Sequence, residues 1–319
     1  TGKGRIVGIA LAVDNWSGYY PIAHEGGGNM DEKMVMDYFR TVLNLPARKI
    51  FHNAMYDVCF IRAAGLKING EIVDTMIAGS LVDENRFRYD LGSMGRDYLG
   101  RGKNEAVLNE TAAIWGVDPK SEMYKLPAMY VGEYAERDAE MTLELWQEMK
   151  KEIYAQDIED IFKLETELFP CLVDMRFLGV RVDVEAASQL KHKLLTEEKE
   201  CLQKVKKETG IDTQIWAARS IAQVFQKLNL PFDRTEKTNS PSFTKNFLKN
   251  HPHPIVKHIA RAREINKAHT TFIDTILKHE HKGRIHAEIN QLRSDQGGTV
   301  TGRFSYNNPN LQQIPARNK

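Results

Sequence analysis

The sequence has 319 residues, 42% hydrophobic and 27% charged, with a net charge of +1. That balance is globular and excludes a disordered or collagen-like chain. No apolar run approaches the ~18 residues of a membrane helix, and the length suggests two domains.

Arg5–Val13 reads as an apolar strand, Asp14–Gly18 as a turn and Tyr19–Ala23 as the returning strand of a hairpin. Asp31 caps a helix running to Asn44, with Met34, Val35, Tyr38, Phe39 and Val42 on its apolar face. Lys49–His52 reads as a short strand. Ala54–Ala64, Asp74–Leu81 and Leu91–Leu99 read as helices, the first ended by Gly65. Strands mixed with helices indicate an α/β domain with a mixed sheet. From Gly132 the pattern becomes helical. Glu133–Ala155 is one long helix, and Ile158–Leu178 is another, broken by Pro170 and ended by Gly179. After the extended Val180–Asp183, a charge-rich helix spans Val184–Thr209. Leu190, Leu194, Leu195, Leu202 and Val205 give it a narrow apolar stripe, as expected of one arm of a helical hairpin. Thr235–Pro241 is a polar loop, Ile255–Leu277 a helix and Gly283–Ile289 a strand.

Residues 1–150 carry 17 basic and 22 acidic side chains, and residues 151–319 carry 27 and 21. An acidic half joined to a basic half is compatible with nucleic-acid binding and equally with two solvated surfaces. Cys59, Cys171 and Cys201 have no zinc spacing and are odd in number, which fits a reducing intracellular setting. The chain opens on Thr1 with no leader pattern, and Ala316–Lys319 follow a proline with no element to finish on, so the sequence reads as an internal fragment. His251-Pro-His-Pro254 reads as a loop leading into a helix, not as a metal site.

Two pairs of polar residues stand four apart on helices: Asn53 with Asp57, and Tyr134 with Asp138. Residues at i and i+4 share a face, so each pair can offer two polar groups to one site. The carboxylates suit Mg²⁺ or Mn²⁺, and two such ions can activate a water and stabilise a leaving oxygen in phosphodiester hydrolysis. A tyrosine hydroxyl can orient that water. Such residues on amphipathic helices are also commonly just solvated.

The wording around them narrows the choice. Phe51-His-Asn-Ala-Met-Tyr-Asp57 resembles the N-x-x-x-D motif of the 3′–5′ exonuclease domains of proofreading DNA polymerases, and Tyr134-Ala-Glu-Arg-Asp138 matches their Y-x-x-x-D motif. Asp74-Thr-Met and the run from Asp90 to Leu99 match the intervening helices. Together they resemble the DEDDy exonucleases, which implies a ribonuclease-H-like fold with a mixed sheet and flanking helices. It also implies Asp57 and Asp138 as metal ligands, Tyr134 as a catalytic residue beside them and Asn53 against the substrate strand. The family's D-x-E motif is not matched: Asp14 lies in a turn and Trp16 stands two residues on. The expectation is weak metal binding and slow digestion by this chain.

The second half resembles another part of the same enzymes. Leu164–Asp183 is similar to the start of the polymerase domain of family A DNA polymerases, and Thr301-Gly-Arg-Phe-Ser-Tyr-Asn-Asn-Pro-Asn-Leu-Gln-Gln-Ile-Pro315 matches their T-G-R motif almost letter for letter. The resemblance implies a helical thumb and the beginning of an α+β palm. By it Arg303 meets the primer terminus, Asn310 and Gln312 line the minor groove, and Arg263 and Lys267 contact duplex phosphates. Lys204, Lys206 and Lys207 add long-range attraction or a solvated face. The catalytic aspartates of such polymerases follow the T-G-R motif, and none is expected within these 319 residues.

The expected division is an exonuclease domain over 1–152 and the thumb with the first part of the palm over 153–319. The expected parent is a DNA-directed DNA polymerase with proofreading, acting as a cytoplasmic monomer on primer–template DNA, a single-stranded 3′ end and dNTPs. It would use two Mg²⁺ or Mn²⁺ ions per site and possess no membrane span, with a processivity factor as a possible partner. The alternatives are a stand-alone exonuclease similar to ribonuclease D, which leaves Thr301–Pro315 unexplained, and a DNA-binding module on a degenerate exonuclease scaffold.

Overall fold

The computed structural model describes residues 4–295 and 297–315. They form two compact units, one within residues 4–179 and 287–313, the other within residues 180–286 with 314 and 315.

The first unit opens with β1 (Gly8–Val13) and β2 (Trp16–Pro21), an antiparallel hairpin. Its turn is tighter than the sequence suggests. Only Asp14 and Asn15 lie outside the strands, and Asn15 takes φ 64, a left-handed value that asparagine tolerates. Helix α1 (Glu32–Asn44) begins where Asp31 accepts from the Met34 N–H at 2.8 Å. The strand β3 (Lys49–Phe51) leads into α2 (Ala54–Ala63) and pairs in parallel with β4 (Ile72–Asp74). Antiparallel and parallel pairing thus both occur, in two separate two-stranded sheets. Helices α3 (Thr75–Val82), α4 (Leu91–Leu99) and α5 (Ala106–Trp115) precede α6 (Gly132–Ala155), whose Met141, Leu145, Trp146 and Met149 form the centre of a core with Val73, Tyr89 and Met94.

Helix α7 (Glu159–Leu178) runs through Pro170 without interruption, so the expected break is absent. Pro170 removes one backbone donor, but Phe162, Phe169, Leu172 and Val173 are buried on either side of it, and that packing outweighs local propensity. Phe169, Leu172 and Val173 join Ala54, Met55, Val58 and Ile77 in a second core.

The second unit starts at β5 (Val180–Arg181), followed by α8 (Val184–Thr209), which Asp183 caps and Gly210 ends in the left-handed region. The expected apolar stripe is buried only in part. Cys201 and Val205 near the C-terminal end are covered, while Leu190 and Leu195 stay exposed. Helix α9 (Ala218–Lys227), strands β6 (Asp233–Arg234) and β7 (Pro241–Ser242) and helix α10 (Lys245–Asn250) follow. Phe225 is wholly buried among Phe232, Phe243 and Phe247. Helix α11 (Pro254–Lys267) lies along α8 and is capped by His253, whose ring accepts from the Ile255 N–H. The helix expected to Leu277 runs on as one helical stretch, α11 passing through a π-helical turn over Ala268–Ile273 into α12 (Asp274–His279). Strands β8 (Glu280–His281) and β9 (Arg284–Ile285) close the unit, β9 pairing with both β8 and β5.

The chain then re-enters the first unit as β10 (Glu288–Asn290) and β11 (Ser305–Asn307), an antiparallel pair. Ile289 enters the α2/α7 core. The buried Gln291 side chain donates to the Glu165 carbonyl at 2.7 Å, the Ser80 hydroxyl to the Arg293 carbonyl at 2.5 Å, and the Tyr89 N–H to the Asp295 carboxylate at 2.8 Å. No helix among the described residues is long and apolar enough to cross a membrane.

Candidate functional site

The junction between β3 and α2 is held by one carboxylate. Asp74, at the end of β4, accepts from the backbone N–H groups of Asn53 (3.0 Å), Ala54 (2.8 Å) and Met76 (2.9 Å). It therefore serves the orphan donors at the starts of both α2 and α3. The fixed backbone places Asn53 at φ 63, ψ 52, and its side chain takes no part in capping. A left-handed residue costs about 1 kcal/mol or more unless it is Gly, Asn or Asp. Asp57 follows one turn on. Burial, with the Asp74 charge adding to it, pushes the Asp57 carboxyl up to about 7. Burial also raises Asp74, to about 6, against the lowering effect of its backbone donors.

Across the site, α6 presents Tyr134 and Asp138 on one face, and the irregular stretch between α4 and α5 contributes Lys103. The Lys103 ammonium donates to Asp138 Oδ2 at 2.5 Å and to the Tyr134 hydroxyl at 3.2 Å, and lies 5.1 Å from the centre of the Tyr134 ring. Both partners of the ion pair are mostly covered, with 21% and 24% of their side chains exposed. Burial opposes the charge on Lys103, but Asp138 and Tyr134 outweigh it and raise its pKa. Burial raises Asp138 even against the pull of Lys103, and it raises the Tyr134 hydroxyl too. His52, bonded through Nδ1 to the Thr75 hydroxyl at 2.8 Å, is lowered to about 4 by burial and by Lys103.

Asn53, Asp57, Tyr134, Asp138 and Lys103 line one open cavity of about 3120 Å³, together with β1 and β3. The fold thus places on the walls of one large cavity two pairs of residues separated by some eighty positions. Among the described residues, no three His, Cys, Asp or Glu side chains form a metal-holding cluster. Two carboxylates in one cavity nevertheless fit Mg²⁺, which commonly takes one or two protein oxygens and fills its shell with water and substrate phosphate.

The other five predicted contact residues lie elsewhere. Arg263, on α11, donates through Nε to the Ile215 carbonyl (2.6 Å) and through Nη1 to the Phe243 carbonyl (2.8 Å), and its guanidinium stands 5.2 Å from the Trp216 ring. Burial lowers its pKa. Lys267, one turn further, is exposed. In the first unit Gly302 (φ 70) turns the backbone ahead of an exposed Arg303, whose N–H and carbonyl both bond the Thr299 hydroxyl. The Asn310 side chain accepts from the Gln312 N–H at 3.0 Å, and the Gln312 amide donates to the Phe304 carbonyl at 2.9 Å. Both are exposed.

Residues 3–154 match the family model described as 3′-5′ exonuclease, and residues 184–319 match DNA polymerase family A. Between them the two models account for nearly all of the chain. It belongs to the family A DNA polymerases. A DNA-directed DNA polymerase of Pseudomonas phage M6 is 33% identical over 98% of this chain and 49% of its own length. The DNA polymerase DpoZ of Acinetobacter phage SH-Ab 15497 is 32% identical over 86% of this chain and 48% of its own. The DNA polymerase I of Chloroflexus aurantiacus is 27% identical over 98% and 33%. The chain spans about half the length, or less, of these curated relatives. A solved structure of the polymerase domain of Pol1 from M. smegmatis, in complex with DNA primer-template and dNTP, superposes over 99% of this chain and 50% of its own with a TM-score of 0.74 at 21% identity, which is a likeness of fold.

The sequence did not single out Lys103, nor the bonding role of Asp74. Asp74 carried a signal as part of Asp74-Thr-Met. Lys103 sits in a Gly-rich run with no periodicity, and its partners are 31 and 35 residues away.

Proposed function

We propose that this chain is the part of a proofreading DNA polymerase that carries the 3′–5′ exonuclease domain (residues 1–152) and the thumb with the first part of the palm (residues 153–319). The whole enzyme extends a primer on a DNA template with dNTPs and excises mismatched 3′ ends at a separate site. The observation that carries the exonuclease reading is the meeting of Asn53, Asp57, Tyr134 and Asp138 in one cavity. The polymerase-family match over residues 184–319 favours this reading over a stand-alone ribonuclease D-like enzyme.

In this reading Asp57 and Asp138 would hold Mg²⁺ or Mn²⁺, and the chemistry such an ion would supply is activation of a bound water and neutralisation of developing phosphate charge. Tyr134 does the positioning. Its hydroxyl stays protonated, because burial raises its pKa, and can bond a water at the scissile phosphate. Asn53, in the left-handed region that asparagine tolerates and free of capping duty, turns its amide to the substrate strand. On the duplex, Lys267 and Arg263 meet phosphates and Arg303, Asn310 and Gln312 meet the minor groove. Arg263 acts there as a guanidinium already oriented by its own loops. The enzyme works as a cytoplasmic monomer, with a processivity factor as a further possible partner.

The test is fluorescence anisotropy of a primer–template over a range of salt, beside Mg²⁺-dependent digestion of a labelled single strand. Salt-sensitive, sequence-blind binding with slow digestion is expected, since the family's D-x-E motif is not matched in this sequence. Rapid digestion would mean that other carboxylates complete the site. Absence of duplex binding at any salt would overturn the thumb assignment.

A further inference from the structure

Lys103 is a cation built into a wall of a cavity whose proposed reaction needs cations. Its stem lies against α4 at Gly92, where a Cβ would approach Lys103 Cγ to 3.4 Å. Its ammonium then bridges Asp138 and Tyr134, the two α6 residues assigned above to ion binding and water positioning. A mostly buried ion pair is a poor source of stability, because desolvation consumes much of the attraction. This pair also engages the only charged oxygen that α6 offers to the site in the proposed function. An incoming divalent cation and Lys103 therefore compete for one carboxylate, and the ammonium, once displaced, stands beside the place where a phosphodiester must lie.

Resting on the exonuclease reading, we propose that Lys103 is a substrate-contacting residue that exchanges partners. It holds Asp138 and Tyr134 in register in the unliganded protein, and when a divalent cation takes Asp138 it turns to a phosphate of the single-stranded 3′ end. The exchange makes no covalent bond. Two charge pairs form in place of one: carboxylate with metal, ammonium with phosphate. Lysine suits the task, being a flexible point charge that can serve either oxyanion in turn.

The experiment compares the whole chain with Lys103→Met, which keeps the stem, and Lys103→Arg, which keeps the charge. Mn²⁺ binding is measured by electron paramagnetic resonance, with no nucleic acid present. Binding of a 5′-fluorescein-labelled oligothymidylate is measured by anisotropy in Ca²⁺ at several salt concentrations. The exchange predicts opposite signs in Lys103→Met. Mn²⁺ binds about tenfold more tightly once the competing charge is gone. The oligonucleotide binds more weakly, and the slope of log K against log salt shrinks by about 0.7, the contribution of one single-strand phosphate contact. Lys103→Arg retains the wild-type slope. If Lys103 only packs the site, Lys103→Met weakens Mn²⁺ binding or leaves it unchanged and the slope does not move, which overturns the inference while leaving the exonuclease reading intact. Failure of the wild-type chain to bind Mn²⁺ at all overturns that reading, and the partner exchange with it. Should Lys103→Met fail to fold, the slope of Lys103→Gln decides the same question.

Discussion

Replacing Asp57 by Asn tests the electrostatics of the site most directly. In the folded chain the Asp57 carboxyl ionises only near pH 7, against an ordinary value of 3.8. An acid whose pKa is raised on folding contributes stability at low pH that is lost as pH climbs from the unfolded value through the folded one. A displacement from 3.8 to about 7 corresponds to about 4 kcal/mol at full ionisation. Between pH 5 and pH 8 the unfolded group is ionised throughout while the folded one gives up its proton, so roughly 2–3 kcal/mol of the loss falls in that window, and structural relaxation reduces it to about 1–3 kcal/mol. Asp57→Asn cannot ionise and should escape the loss. The assay is urea unfolding at pH 5 and pH 8 followed by tryptophan fluorescence, Trp146 being buried in the core of the same unit. The variant's advantage over wild type should be larger at pH 8 by about 1–3 kcal/mol. Asp74 and His52 titrate in both proteins and largely cancel from the difference. An equal advantage at the two pH values, or a smaller one at pH 8, would refute the reasoning and place Asp57 in contact with water in the folded chain.

Asp74→Ala leaves three backbone donors at the heads of α2 and α3 without their acceptor and should cost about 2–4 kcal/mol in urea unfolding. Lys267→Ala should lower the salt slope of duplex binding by about 0.9, as expected for one phosphate contact, with little change in melting temperature. Arg263→Ala should show a clear melting loss, because its guanidinium supports the loops at Ile215 and Phe243. Phe225→Ala should destabilise the helical unit by about 3–5 kcal/mol, measured by hydrogen exchange in α9 and α11.

What the sequence makes legible is what local chemistry decides. Asp31, Asp90 and Asp183 each cap a helix that the periodicity also marks, and Gly100 and Gly210 end two of them in the left-handed region. Helix α10, of six residues, is too short for a pattern to stand out, whereas α5 and α9, as long as α2, went unread although α9 buries Ile221, Ala222, Val224 and Phe225 on one face. Among the two-residue strands, β5 owes its existence to a distant partner, Val180 with Ile285, while β6 with β7 and β8 with β9 are pairs too brief for an alternation to show. Pro170 misled for a related reason, since burial of its neighbours decides the fate of α7. In the site, Asn53–Asp57 and Tyr134–Asp138 were visible as spaced pairs. Arg263 shows the converse: nothing in its spacing revealed that two loop carbonyls and the Trp216 ring hold its guanidinium.

The return of residues 287–313 to the first unit makes the helical unit an excursion of about a hundred residues, left at Gly179 and re-entered at Ala287. Its base is fastened by β5 and β9, which pair its first residues with its last. Closing a loop of that length costs on the order of 4 kcal/mol in chain entropy, and the strand pair meets the cost inside the excursion itself. The β10–β11 segment then starts from a short, fixed span, not from the end of a long free chain. A cassette with adjoining ends can be lengthened, shortened or exchanged without disturbing the body that carries it, so the helical unit can diverge in size and charge while the cavity wall of the first unit keeps its form.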